Sequence, residues 1–146
     1  MNKVLPLSAL LMTLFMSNYA LARDDKAMYS LEEALNTPEA KTRLASAIKL
    51  YFGNQSHPEV AKELGEWRTS KKTNGFNKSD GDACKWAFLT AAIELQERAK
   101  KEGGDAVINI KSNYKNEETM SDTQYMCGNG LLMTGVAFKG TVVKLK

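Results

Sequence analysis

The chain has 146 residues, a formal net charge of +3 at pH 7 and 25% charged residues. Because this positive balance is mild, charge alone does not indicate a nucleic-acid-binding protein. Two cysteines and one histidine argue against a zinc site built from Cys and His ligands alone. The length suits one domain with one core, and no internal repeat or low-complexity tract divides it.

The first predicted element is a secretory signal over residues 1–22. Lys3 supplies a positive start, and the apolar run VLPLSALLMTLFM follows. Ala20 and Ala22 are small residues at the two positions that signal peptidase recognises. An amphipathic or buried N-terminal helix is the alternative. Cleavage after Ala22 would leave 23–29 as a leader and 30–146 as a single domain. No later segment is apolar enough to cross a bilayer, so we expect an exported product, periplasmic or secreted.

Short helices are predicted next. A capping-box pattern at Ser30 predicts a short turn over 31–36, and a Thr-Pro pair at 37–38 is typical of a helix start. The spacing of apolar residues predicts that this second helix continues to Phe52. A further short helix is expected from the His-Pro pair through residues 58–67.

A basic segment, WRTSKKTNGFNK, occupies residues 67–78 and contains no acidic residue. Cations combined with aromatic faces suit a polyanion, through charge and stacking. The alternative is a solvated loop, or an edge strand whose lysines oppose sheet-to-sheet aggregation. The candidate binding residues of this basic segment are Trp67, Arg68, Lys71, Lys72, Phe76 and Lys78.

The longest helix is predicted over residues 82–102, after a cap at Ser79 or Asp80 and before a pair of glycines. Small residues form one broad face that can approach a sheet closely. A second apolar group lies on the opposite side, so the helix must be covered twice, by the N-terminal helices or by a protein partner. The residues of this possible partner patch are Trp86, Leu89 and Ile93.

Beyond those glycines the apolar pattern changes to that of strands. Alternation predicts a strand over 105–114 with one fully buried face. The residues assigned to that face are Ala106, Ile108 and Ile110. A second strand is predicted over 123–130 after a polar connection, and the tail 131–146 supplies one long bent strand or two short ones. The predicted fold class is α+β: a mostly antiparallel sheet of three to four strands packed on one long helix, with additional N-terminal helices.

Both cysteines fall in the mature region, Cys84 in the first turn of the long helix and Cys127 near the end of a strand. An even number in an exported protein favours a disulfide, which would pin that helix to the sheet. The alternative is a thiol enzyme or hydrolase of the cell envelope. It would use Cys84, activated by the helix N-terminus, with His57 as base, or the carboxylates Asp80 and Asp82.

These observations predict an exported binding or envelope-interaction domain with no catalytic residue, cofactor or metal. Its expected partner is an anionic envelope component or an envelope protein, with no nucleotide and no specific nucleic acid. The chain has no G-x-x-x-x-G-K-[ST] loop for phosphates, which argues against a nucleotide hydrolase.

Several runs carry a family resemblance: FGNQSHPEV, the stretch from KKTNGFNK to GGDAVINIKSNY, YMCGNG and GVAFKGTVVKL. Together they resemble a family of small exported proteins of Gram-negative bacteria, often labelled "excinuclease ATPase subunit". More distantly, the helix-start cysteine, the Gly-Asp-Ala-Val junction and the later strand cysteine are similar to the envelope-stress lipoprotein RcsF and to YbjQ-like domains. This resemblance implies an α+β core. The chain lacks the lipid-attachment cysteine and the second disulfide pair of RcsF.

Overall fold

A computed structural model describes residues 23–146, and the predicted signal at 1–22 lies outside the described residues. Within this range the chain forms seven strands and three helices, which confirms the α+β class. The strands are β1 (Asp24–Ser30), β2 (Lys49–Phe52), β3 (Val60–Asn74), β4 (Ala106–Tyr114), β5 (Glu117–Thr119), β6 (Gln124–Gly130) and β7 (Met133–Leu145). The helices are α1 (Leu31–Leu35), α2 (Pro38–Arg43) and α3 (Asp80–Lys101).

The strands form one mixed sheet in which β7 is central. One edge of β7 pairs antiparallel with β3 along its whole length, and β6 and β4 share the other edge. β1 extends the sheet beyond β6, while β2 and β5 both pair with β4, β2 in the parallel direction. The sheet therefore has seven strands instead of three or four, and it is mixed, because β2 pairs with β4 in the parallel direction while the other five pairings described are antiparallel.

Segments before α3 supply three of the additional strands, and the polar connection after β4 supplies β5. The predicted second helix ends at Arg43, and residues 49–52 form β2 instead of its last turn. The predicted helix over 58–67 is wrong as well, because that stretch leads into β3. Residues 24–29 of the predicted leader belong to β1. Pairing with distant strands decides these conformations, and local periodicity carries no information about such partners.

The helix starts agree with the capping patterns. Ser30, Thr37 and Ser79 are N-caps, and each side-chain oxygen accepts a hydrogen bond from the N–H three residues later, at 3.1–3.2 Å. After α3, Gly103 adopts a positive φ of 78°, which allows the chain to reverse toward β4. These local signals were correctly read from the sequence.

The core lies between α3 and one face of the sheet. Phe88 of α3 is at its centre, with ring centroids 5.9 Å from Phe52, 4.7 Å from Tyr125 and 5.6 Å from Phe138. A stripe of small residues on α3 allows the helix to approach the strands closely. The buried residues of that stripe are Ala83, Cys84, Ala87, Ala91, Ala92 and Ala99.

The N-terminal region covers the second apolar side of α3. Gln96 of α3 accepts a hydrogen bond from the N–H of Ala45 at 2.8 Å, and its amide donates to the carbonyls of Ala45 and Ile48 at 3.0 and 2.8 Å. These bonds attach the irregular segment between α2 and β2 to the helix. Of the two predicted ways to cover this side of α3, by the N-terminal region or by a protein partner, the N-terminal region provides the first.

A β-bulge in β4 changes which residues share a face. Asn109 has a positive φ of 51°, and the pairing register with β7 shifts at this point. Val107 and Ile110 therefore both enter the main core, whereas Ala106 and Ile108 belong to a separate small cluster. The predicted common face of Ala106, Ile108 and Ile110 was wrong, because strict alternation holds only where no residue is inserted into the ladder.

Candidate functional site

Cys84 and Cys127 form a disulfide that links the first turn of α3 to β6, with Cα atoms 5.9 Å apart. Both residues are completely buried. This confirms the predicted pairing, and Cys84 in this state is not a free thiol. His57, the suggested base, is half-buried in the connection between β2 and β3, where its ring lies 5.6 Å from that of Tyr51.

A buried polar cluster surrounds the disulfide. The amide nitrogen of Asn129 lies 3.4 Å from the sulfur of Cys84 and 3.2 Å from the hydroxyl of Tyr29. A disulfide sulfur carries no proton, so the amide is the donor in the first contact. The amide oxygen accepts a hydrogen bond from the hydroxyl of Thr134 at 2.9 Å. Since Thr134 is the second residue of β7, the cluster connects the disulfide to the strand that follows the turn between β6 and β7.

Two connections meet at this end of the fold: the β3–α3 loop, residues 75–79, and the β6–β7 turn, residues 131–132. The N–H of Gly75 donates to the carbonyl of Leu132 at 2.8 Å, which holds the two connections together. These connections and Met133, the first residue of β7, expose large apolar side chains, which we call the apolar tip. The residues of the apolar tip, with their exposed fractions, are Phe76 (61%), Leu131 (77%), Leu132 (55%) and Met133 (47%).

The apolar tip is closely attached to the buried cluster. A Cβ atom at Gly75 would lie 2.8 Å from the hydroxyl oxygen of Thr134, so the glycine permits this close approach. Phe76, Leu132 and Met133, together with Asn74, line an open hollow of about 430 Å³. The buried cluster around the disulfide and the hydrogen bond between Gly75 and Leu132 therefore fix the position of the tip.

The basic segment is divided between the two sides of β3. In the described part of the chain β3 pairs with β7 alone, so the predicted edge strand is confirmed. Trp67 and Lys71 interact with α3: the guanidinium carbon of Arg98 lies 4.1 Å from the centre of the Trp67 ring, and Lys71 forms an ion pair with Glu94. Internal contacts therefore occupy these two candidate residues.

The other candidates of the basic segment are exposed. Lys72 alternates with the helix-facing residues and lies on the opposite side of the sheet, whereas Arg68 lines a shallow hollow with Glu94 and Arg98 of α3. Phe76 belongs to the apolar tip, and Lys78 lies two residues further along the same loop. The segment thus does not form one continuous cationic surface, but its last part contributes to the tip.

The possible partner patch is not continuous. Trp86 is exposed, Ile93 is half-buried and Leu89 is buried. Glu33 of α1 forms an ion pair with Lys85 of α3 at 3.8 Å, and Thr37 and Glu39 line one groove with Leu89, so the N-terminal region lies beside this part of α3. Trp86 borders a shallow groove of about 310 Å³ whose lining includes Lys78, Lys85 and Asp82.

Side chains of β3, β4, β5 and β7 form an ion-pair network on the sheet. The ammonium group of Lys139 lies 2.6 Å from a carboxylate oxygen of Glu118 and 3.2 Å from one of Glu66. Lys111 approaches Glu118 at 3.1 Å. Hydrogen bonds from Lys139 and Lys111 lower the pKa of the Glu118 carboxyl, and the same contact with Glu118 raises the pKa of Lys139. This surface is therefore largely neutralised from within.

Three residues of the apolar tip, Leu131, Leu132 and Met133, were not singled out from the sequence, which assigned them to the start of a tail strand. The available signal was an apolar run that directly follows the turn-forming Gly-Asn-Gly at 128–130. Apolar residues at a turn are exposed unless another element covers them. Periodicity alone did not separate the turn from the strand.

No family model, curated protein or solved structure matches the chain. Within residues 23–146, none of the helices has the length and apolar character that crossing a bilayer requires. The same residues contain no group of three or more His, Cys, Asp or Glu side chains placed to hold a metal ion. Fold and site together define a disulfide-linked α+β domain with an exposed apolar tip.

Proposed function

We propose that this protein is an exported, non-enzymatic binding domain of the cell envelope, and that it binds an anionic envelope component through the apolar tip. The observation that carries the proposal is the exposure of four large apolar side chains, three on two adjoining connections and one at the start of β7. Contiguous apolar surface on a folded domain is characteristic of interaction sites, since burying it in a complex is favourable.

The charges beside the tip favour an anionic partner. Residues 72–79 contain Lys72 and Lys78 and no acidic residue, and residues 128–138 contain no charged residue. Arg23, which directly precedes β1, forms ion pairs with Asp25 and Asp80. Lys72 and Lys78 form no ion pair within residues 23–146, although Asp82 lines the same groove as Lys78, so their ammonium groups remain able to attract an anionic ligand.

The construction of the tip also supports a binding role. Two hydrogen bonds hold both connections in place before any ligand binds. One joins Gly75 to Leu132, and the other joins Thr134 to Asn129. A preformed surface loses less conformational entropy on binding than a mobile loop does. The disulfide is in keeping with export, since such bonds persist in oxidising compartments. The resemblance to a family of small exported proteins is in keeping with it too.

The thiol-enzyme alternative gains no comparable support. It requires Cys84 as a nucleophile, and Cys84 is buried and bonded to Cys127. Thiolates that react are accessible and lie close to a base or a cation.

Retention on isolated cell envelopes tests the proposal. The full chain is expressed in a Gram-negative host, and the exported product is purified and its mass measured. We expect the product to sediment with envelopes, and the double variant Leu131→Ser/Leu132→Ser to be retained roughly tenfold more weakly, as expected for lost apolar burial. Met120→Ser is the matched control because Met120 is as exposed as Met133, at 47%, but precedes β6 instead of following it. Equal retention of the tip variant and the unchanged protein would refute the proposal.

A further inference from the structure

We infer that the partner of the apolar tip is the anionic phospholipid bilayer itself, an assignment that rests on the proposed function. The apolar side chains of the tip would enter the boundary between headgroups and acyl chains, while Lys72 and Lys78 contact lipid phosphates. Interfacial binding of this kind combines buried apolar area with attraction to anionic lipids.

The point where the chain enters the fold favours a bilayer. β1 begins at Asp24, which pairs with Gly130, and Leu131 of the tip follows directly. The carbonyl oxygen of Arg23 lies 3.5 Å from the position that a Cβ atom on Gly130 would take. Residues 1–22 therefore join the described fold immediately beside the apolar tip.

This position matters because residues 4–16 form the apolar run VLPLSALLMTLFM, the core of the predicted secretory signal. A signal of this kind enters the membrane during export. Before cleavage, only residues 17–22 join this run to Arg23, so export brings the neighbouring tip close to the membrane. Cleavage after Ala22 would leave a positive α-amino group at Arg23, which adds to the cations beside the tip.

The size of the tip also favours lipid over a protein partner. A standard protein interface uses about 20–30 residues on each side. Here four apolar side chains are exposed, three on the two connections and one at the start of β7. Lysines flank them, and their long stems can lie along an apolar phase while their ammonium groups remain in water. A surface this small suits shallow insertion together with electrostatic attraction, because neither contribution alone gives stable attachment.

Sedimentation with defined vesicles tests this inference on the exported product. We expect it to bind vesicles of phosphatidylglycerol mixed with phosphatidylcholine, and to bind vesicles of phosphatidylcholine alone much more weakly. Leu131→Ser/Leu132→Ser should weaken binding to the mixed vesicles by roughly tenfold or more. Lys72→Gln/Lys78→Gln should weaken it by several-fold and reduce its salt dependence. Met120→Ser should bind as the unchanged protein does.

A fluorescent probe measures insertion directly. In the variant Phe76→Trp, vesicles containing brominated lipids should quench the emission of the new indole. The test variant also carries Trp86→Phe, because Trp86 is exposed and lines a groove with Lys78. Trp86→Phe alone is the control: its remaining indole, Trp67, lies under Arg98, so its emission should change little. Thermal unfolding of each variant establishes that folding is retained, and the exposed positions make this the expected result.

The possible outcomes separate the two proposals. Tip-dependent retention on whole envelopes without binding to either kind of vesicle would overturn the bilayer inference and leave the binding function in place. Self-association that Leu131→Ser/Leu132→Ser abolishes, again without vesicle binding, would assign the tip to a second copy of the chain. If the unchanged protein binds neither whole envelopes nor vesicles, both proposals are overturned.

Discussion

The side-chain amide of Asn129 on β6 lies 3.4 Å from the sulfur of Cys84 on α3. The same side chain accepts a hydrogen bond from Thr134, at the start of β7. Asn129 thus joins the helix, the disulfide and the strand that follows the apolar tip. Buried polar groups with such partners fix one arrangement, because each lost bond leaves a desolvated group unpaired.

Asn129→Ala should therefore destabilise the fold. We expect a loss of about 2–3 kcal/mol, from the unpaired hydroxyl of Thr134 together with the cavity left by the side chain. Urea unfolding followed by circular dichroism measures it. Thr134→Val removes the same hydrogen bond from its other end, so a double-mutant cycle should show that the two losses are not additive. Strict additivity would contradict the coupling.

The disulfide should be a major source of stability. Cys84 and Cys127 are 43 residues apart, and closing a loop of this length contributes up to about 4 kcal/mol in the chain-entropy model. The double variant Cys84→Ala/Cys127→Ala should lose most of this stability and become insensitive to reductant. Urea unfolding with and without dithiothreitol measures both effects. An unchanged unfolding midpoint after verified reduction would contradict the prediction.

Gly128 on β6 should tolerate no side chain, for a reason that Gly81 does not share. A Cβ atom at Gly128 would lie 2.1 Å from the ring and hydroxyl of Tyr114, whereas one at Gly81 would meet nothing within 4 Å. We expect Gly128→Ala to cost about 1–3 kcal/mol through overpacking. Gly81→Ala, in the first turn of α3, should be neutral or stabilising by up to about 1 kcal/mol. Thermal unfolding compares them, and similar effects at both positions would show that the ring moves away freely.

The ion pairs of Glu118 should make stability depend on pH on the acid side. Because Lys139 and Lys111 lower the pKa of this carboxyl in the folded state, its contribution is present above the ordinary value of 4.5. That contribution is lost as the pH falls through the lowered pKa. Glu118→Gln should therefore flatten the decline in stability between about pH 5 and pH 3.

Urea midpoints measured across this pH range test the prediction for Glu118. Glu97→Gln, on the exposed side of α3, is the matched control and should leave the slope unchanged. If Glu118→Gln has the same slope as the unchanged protein, the ion pairs do not contribute to stability on the acid side.

Features with local causes were predictable. A side-chain oxygen at Ser30, Thr37 or Ser79 can cap only the helix that follows it, so the short sequence pattern suffices. The disulfide was predictable from the number of cysteines and the expected compartment, without knowledge of the fold. The glycines after α3 ended the helix where expected, because few other residues adopt the required positive φ.

Features with distant causes were not predictable. Residues 49–52 fit a helical spacing, yet they become β2 because β4 offers backbone partners more than fifty residues away. The bulge at Asn109 inverted the expected alternation in β4, since inserted residues leave no mark in the apolar pattern. The candidate site changed for the same reason: internal contacts with α3 occupied Trp67 and Lys71.

By itself the sequence determined the α+β class, the helix starts, the cysteine pair and the cations of the basic segment, because each depends on neighbouring residues or on composition. Only the tertiary structure decided that Phe76 and Leu131, far apart along the chain, are exposed at the same end. It also decided that the chain enters the fold beside them. Exposure and proximity result from how distant strands pair and pack, and no short stretch of sequence contains that information.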